Sequence, residues 1–409
     1  MIKVCDAIMG TGKSTAAINY MNAHPDLRFI YITPYLDEAK RIADGCKALD
    51  FYEPLRKAEF SGSKTLHTAE LVRDEKNIAT THQAFRAYPR SLLDDIRDKH
   101  YTLIIDENVD VLNPVEINPA DMSMAVDAGL ISRGEDGVYR SSADYDGSAL
   151  CDLFRVLKVR DIIGVEHKNK ESYYYWQFPP DLLTAFDDVF ILTYLFEGQS
   201  LYYFLNMYNL PYTYIGISKT ENGFIFSETD RYIPEYVSSL SEKLHILDSE
   251  KMNDIGFDKT DLSMSWFARH KDKREELRRN ITNFFINITD SCSATRMWST
   301  YAEYKYDLRG KGYSSGFVSF NTKATNQYRN KTALAYCVNL YMNVGQKLLY
   351  QHRGIEVDED AYALSIMVQW IWRSAIRDGK DIYLYIPSQR MRTILQNWIN
   401  NLTKGDTNE

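Results

Sequence analysis

The chain has 409 residues, 44% of them hydrophobic and 25% charged, the balance of a globular protein rather than of a disordered or collagen-like one. No apolar run reaches the roughly 18 residues that a membrane-spanning helix needs, so no membrane role is expected. A net charge of −8 argues against a uniformly basic chain. The charge is uneven, however: residues 266–409 hold 21 Lys+Arg against 14 Asp+Glu, or +7, which leaves −15 for the remainder. An acidic first part with a basic last part permits a local anion-binding surface.

Cys5, Cys46, Cys151, Cys292 and Cys337 are scattered, without C-x-x-C spacing. Neither a zinc site nor a disulfide framework is expected, and a reducing cytoplasm fits. The first residues enter a strand-like run directly, without the features of a signal peptide.

Residues 2–5 form a short apolar run that reads as a strand. Gly10-Thr11-Gly12-Lys13-Ser14-Thr15 follows, and then Ala16, Ala17, Ile18, Tyr20 and Met21, which read as a helix. Strand, glycine loop and helix are the context that a phosphate-binding loop requires. The glycines let the backbone curl so that several N–H groups point at phosphate oxygens, and the helix N-terminus adds partial positive charge. Gly10, Thr11, Gly12, Lys13, Ser14 and Thr15 are therefore the candidate nucleotide contacts. Lys13 would reach the β- and γ-phosphates, and the Ser14 hydroxyl would hold Mg²⁺.

Residues 29–34 read as a second strand ending in Thr33-Pro34, with a helix starting near Glu38. Residues 77–85 read as a strand followed by a polar turn, and Thr80, Thr81 and His82 there are candidates for contact with a nucleic-acid backbone. Residues 101–108, Tyr-Thr-Leu-Ile-Ile-Asp-Glu-Asn, form a strand that ends in two adjacent carboxylates. Successive strand residues face opposite ways, so these two take different roles. Asp106 would join the Mg²⁺ shell, and Glu107 would orient the attacking water. About 114–180 reads as an inserted subdomain or hairpin, with a helix over 150–160 and a Tyr173-Tyr174-Tyr175-Trp176 cluster. Residues 188–195 are another buried-type strand with Thr193 near its end, and 201–205 reads as a helix.

Residues 212–217 and 223–226 are strand-like. The charged run 270–279 leads into Ile281, Phe284 and Phe285 at helical spacing. Residues 316–321 read as a strand, 322–331 as a Lys/Thr/Asn/Arg loop, and 332–341 as a helix. On a further helix Gln369, Arg373 and Arg377 fall at i, i+4 and i+8 and share one face. Residues 382–386 form a last strand, followed by Pro387.

In this order the motifs resemble those of superfamily 2 DEAD/DEAH-like helicases over nearly the whole chain, and their compact form is similar to bacteriophage helicases. Ala7 replaces the first glycine of the general phosphate loop, as in that superfamily. Thr33-Pro34 resembles its motif Ia, and Asp106-Glu107-Asn108-Val109 its D-E-x-x box. Thr193 matches one residue of the S-A-T strand, whereas Tyr194 and Leu195 depart from it. Lys323-Ala-Thr-Asn-Gln-Tyr-Arg329 resembles motif V, and Gln369 to Arg377 motif VI with its second arginine one residue late.

The resemblance implies an α/β P-loop NTPase of two RecA-like domains. The first spans 1–205, with the insertion at about 114–180, and the second spans 206–409. ATP and Mg²⁺ would bind between them, with nucleic acid, single-stranded or forked DNA above all, across both. Lys13, Glu107, Gln369 and either Arg373 or Arg377 would be catalytic, and Thr193 would couple hydrolysis to movement. Thr33, Pro34, Thr81, Lys323, Thr325, Asn326 and Arg329 would contact nucleic acid. The implied activity is that of an ATP hydrolase and DNA helicase serving phage replication or recombination, alongside other replication proteins in a host cytoplasm. A terminase-type packaging ATPase and a nucleotide-dependent nucleic-acid-binding protein without unwinding are the alternatives.

Overall fold

Residues 4–5, 29–32, 103–105 and 189–192 are almost completely buried, as apolar strands covered on both faces by helices must be. In the computed structural model these runs are the core of one parallel sheet. The structure describes residues 1–56, 58–60, 62–142, 145, 147, 150–157, 160–167, 170–322 and 327–405. They divide into two units: Met1–Ala7, Gly12–Tyr232 and Asn343–Val357 form the first, and Ile8–Thr11, Ile233–Met342 and Asp358–Glu409 the second.

In the first unit the strands are β1 (Ile2–Asp6), β2 (Arg28–Thr33), β3 (Phe51–Tyr52), β4 (Asn77–Thr81), β5 (Tyr101–Asp106), β6 (Leu112–Val115), β7 (Ile131–Arg133), β8 (Val138–Ser141), β9 (Asp161–His167), β10 (Lys170–Gln177), β11 (Asp188–Thr193), β12 (Tyr212–Thr220) and β13 (Gly223–Ser227). The main sheet has the order β13-β12-β1-β11-β5-β2-β4-β3. All its pairings are parallel except the β12–β13 hairpin. The helix Lys13–Ala23 buries Ala16, Ala17 and Met21 against this sheet, among Cys5, Tyr31, Ile104 and Leu192. Because β12 pairs with β1, the unit runs on to Tyr232, past the expected boundary at 205.

The insertion is a second sheet, wholly antiparallel, in the order β6-β10-β9-β8-β7. The helices Pro119–Asp127 and Cys151–Leu157 supply Met122, Ala125, Leu153 and Phe154 to a core of its own, with Ile131, Tyr139, Ile162 and Tyr174. A helix from far along the chain, Val344–His352, docks on this sheet. It approaches so closely that a Cβ on Gly345 would sit 2.5 Å from Tyr173 Cγ. Tyr175 donates to Asn343 Oδ1 at 2.5 Å.

The second unit holds β14 (Leu244–Ile246), β15 (Arg296–Ser299), β16 (Ala333–Tyr336) and β17 (Ile382–Tyr385), all parallel, in the order β14-β17-β16-β15. The helices Lys271–Asn283, Glu359–Ile371 and Gln389–Gly405 accompany them. Each unit is thus a parallel sheet flanked by helices, the layout of a RecA-like domain. No helix among the described residues is long and apolar enough to cross a membrane.

Three local expectations change. The stretch 332–341 is not a helix but contains β16, whose four residues are all buried between β15 and β17. A short, wholly apolar run has no polar face from which to read a period. Residues 316–321 form no strand; Phe317 makes only an isolated bridge to Trp298. The helix carrying Gln369 stops at Ile371, and Arg377 lies in a separate turn of 3-10 helix, Ala375–Asp378. Gln369, Arg373 and Arg377 therefore do not share one helical face.

Candidate active site

Register sets the site. Cys5 of β1 lies beside Leu192 of β11, which lies beside Asp106 of β5; one step on, Asp6 pairs with Thr193. The glycine loop and the Asp-Glu pair therefore leave the sheet at one level, at the carboxyl ends of strands with one strand between them. Such a crevice is where α/β sheets bind ligands.

In the loop, Gly10 and Gly12 have φ of +84° and +82°, a left-handed backbone that costs other residues roughly 1–2 kcal/mol. A Cβ on Gly12 would also lie 2.3 Å from the Phe224 ring on β13. Thr11 is buried and donates to the Ile8 carbonyl at 2.9 Å, which closes the turn. Lys13 opens the helix, and its ammonium donates to the Ala7 carbonyl. Desolvation pushes the Lys13 pKa down, against the pull of Cys5, Asp106, Asp6 and Glu107. Thr15 is exposed.

Ser14 Oγ donates to Asp106 Oδ2 at 3.1 Å, so the two oxygens expected to share a cation already converge. A hard divalent ion such as Mg²⁺ takes oxygen ligands of this kind. Burial raises the Asp106 pKa, while hydrogen bonds from Tyr31 and Ser14 and the Lys13 charge lower it. Glu107 has φ +65°. Its N–H donates to the Leu192 carbonyl at 3.0 Å, and that bond helps hold the unfavourable conformation.

Two residues at this site, Tyr31 and Asp6, have no place among the motifs of the sequence, and a third, His82, has a different one. The Tyr31 hydroxyl lies 2.7 Å from Asp106 Oδ2. His82 Nε2 lies 2.9 Å from the Asp106 carbonyl oxygen, so that nitrogen carries the proton and donates. By its position after the strand 77–81, His82 is a candidate for nucleic-acid contact, whereas this bond turns it toward the Asp-Glu strand. The Asp6 carboxylate accepts from the N–H groups of Leu195 (φ +57°) and Phe196 at 2.8 and 3.0 Å, tying the end of β11 to the start of the loop. Burial raises its pKa, and those two bonds oppose the rise. Tyr31 could have been flagged as the one hydroxyl inside the apolar run 29–32. The partners of His82 and Asp6 are 24 and 189 positions away and have no local signal.

Thr193 is buried and donates to Gln199 Oε1 at 2.8 Å. Thr33 is buried at the end of β2, its hydroxyl without a hydrogen-bond partner among the described residues, and Pro34 is half-buried beside it. Thr81 caps the helical turn His82–Phe85 by accepting from Ala84 N–H. Lys323, Thr325 and Asn326 lie outside the described residues. Arg329 is half-exposed and is ion-paired with Asp378, which holds that carboxyl below its ordinary range. Gln369 is half-buried, Arg373 buried and Arg377 exposed.

The SPbeta prophage-derived uncharacterized protein YonV of Bacillus subtilis (strain 168) is 35% identical over 413 residues, covering 98% of this chain and 99% of that protein. This chain belongs to the YonV family. Residues 238–399 match the family described as the YonV C-terminal Rossmann-like domain, which spans the four parallel strands of the second unit. Among solved structures, apo XPD is 10% identical, with 97% of this chain and 95% of that chain covered at a TM-score of 0.49. S. tokodaii Xpd4 is 12% identical, with 97% and 94% covered at the same TM-score.

Proposed function

We propose that this YonV-family chain is an ATP-dependent helicase or translocase that couples hydrolysis to movement on single-stranded or forked DNA, in the setting of phage replication or recombination. The observation that carries this reading is the convergence of Ser14 and Asp106 beside the glycine loop, with Glu107 next in the chain. The assignment of the nucleotide as ATP and of the track as DNA rests on the resemblance of the motif series to superfamily 2 helicases.

In this reading the N–H groups of residues 10–14 and the helix Lys13–Ala23 cradle the phosphates. Lys13 leaves the Ala7 carbonyl for a phosphate oxygen, exchanging a neutral acceptor for a charged one. Ser14 and Asp106 would hold Mg²⁺, which when bound would offset phosphate charge. Glu107 orients the attacking water and accepts its proton. Thr193, whose carbonyl accepts from the Ala7 N–H at 3.1 Å, couples hydrolysis to movement. The 369–377 segment supplies the arginine finger, and Arg377 takes that role because it is exposed, whereas Arg373 is buried.

The test is strand displacement on tailed DNA and RNA duplexes, with ATP turnover measured alongside, for the natural chain and Glu107→Gln. The variant is expected to bind ATP and nucleic acid, and to unwind nothing. Equal unwinding by both proteins refutes the role given to Glu107. Turnover that nucleic acid does not stimulate in the natural chain refutes the motor reading in favour of a nucleotide-dependent binding protein.

A further inference from the structure

We infer that Tyr31 is a positioning residue that fixes the Asp106 carboxylate for its divalent cation. The inference rests on the nucleotide-site reading above and extends it to a residue outside every motif of the site.

Tyr31 sits in the middle of β2, beside Ile104 of the Asp-Glu strand in a parallel register. Its side chain is 0% exposed and packs among Ala17, Met21, Phe29 and Ile104. For filling that space phenylalanine would serve as well as tyrosine. What the hydroxyl adds is one hydrogen bond, 2.7 Å long, to Asp106 Oδ2. A buried phenol must find an acceptor, and here it donates to a carboxylate, which when ionised makes the stronger kind of hydrogen bond.

The same oxygen accepts the longer bond from Ser14, 3.1 Å. The two donors differ in freedom. The serine hydroxyl turns about one bond and can swing its lone pairs to a cation. The tyrosine ring is locked by its neighbours, so its hydroxyl stays on Oδ2 whatever Ser14 does. Tyr31 therefore sets the plane of the carboxylate before the cation arrives, and keeps it there after Ser14 has changed partner. Groups that hold a metal ligand from behind in this way typically change metal affinity by 10- to 100-fold when removed.

Tyr31→Phe in the full chain tests the inference, with Mn²⁺ as the probe. Free Mn²⁺ is followed by electron paramagnetic resonance as protein and ADP are titrated, and ADP binding is measured separately in EDTA. Mn²⁺ binding to the protein–ADP complex is expected to weaken about 10-fold, with the metal-free ADP affinity unchanged. Repeating the pair in an Asp106→Asn background isolates the contact: there Tyr31→Phe should change nothing further. Unchanged Mn²⁺ affinity, or an equal loss with and without the Asp106 carboxylate, overturns the inference. Failure of the natural chain to bind ADP at all overturns the nucleotide-site reading itself, and the EDTA arm shows which of the two has failed.

Discussion

At residue 12 two constraints coincide. The backbone lies at φ +82°, and the space for a Cβ is filled by the Phe224 ring at 2.3 Å. Gly12→Ala is therefore expected to weaken ADP binding by about 10-fold or more, since the strain alone costs roughly 1–2 kcal/mol. Adding Phe224→Ala should restore only part of the loss, because it clears the collision and leaves the strained angle. Calorimetric ADP titration of the single and double variants decides this; full recovery in the double variant would mean that the angle costs nothing. Glu107 is the mirror case: a non-glycine residue kept at φ +65° where the proposed function calls for a side chain. Lys13 to Thr15 are proposed as phosphate contacts from their spacing alone, because a phosphate loop is a local device. Tyr31, Asp6 and His82 cannot be placed in that way, because what they do is defined by a partner on another strand.

Among the elements, the helix Val344–His352 shows most clearly what chain order conceals. It follows β16 of the second unit, yet its bonds are to the first. Asn343 caps it by accepting from the N–H groups of Gly345 and Gln346, and also accepts the Tyr175 hydroxyl. Gln346 donates to Ser200 Oγ at 3.1 Å, and Tyr350 to the Ser200 carbonyl at 3.2 Å. Tyr175→Phe should lower stability by about 1 kcal/mol, the worth of one hydrogen bond. Asn343→Ala should cost more, about 1–2 kcal/mol, because the cap is lost as well. Urea unfolding of both variants checks the order, and the reverse order would contradict it. The end of the helix Glu359–Ile371 separates Gln369 from both candidate arginines, and Arg377 lies further on in the 3-10 turn Ala375–Asp378. Arg377→Ala is expected to cut ATP turnover by about 10³-fold or more with the melting temperature unchanged, whereas Arg373→Ala should lower that temperature, since it opens a buried site. A normal turnover in Arg377→Ala would remove it from the site.

Across the whole molecule, charge follows the chain rather than cancelling along it, with +7 over residues 266–409 and −15 over the rest. If that basic part meets the nucleic-acid backbone, affinity for single-stranded DNA should fall linearly with salt on logarithmic axes, with a slope of about −0.7 per phosphate contacted. A fluorescence titration at several salt concentrations measures it, and an affinity indifferent to salt would exclude a backbone-led interaction.

By itself the sequence determined the glycine loop, the Asp-Glu strand, the parallel α/β class and the insertion. Each of these is written in a short window, as glycine spacing, a buried apolar run ending in carboxylates, or a change of composition. Only the tertiary structure decided that 333–336 is a strand, that β12 and β13 extend the first sheet, that 344–352 returns to it, and that Tyr31 stands behind Asp106. A wholly apolar run buries equally well as helix or strand until its neighbours are placed. A hydroxyl buried in a strand is packing or function according to the atom across from it, and for Tyr31 that atom belongs to a residue 75 positions away.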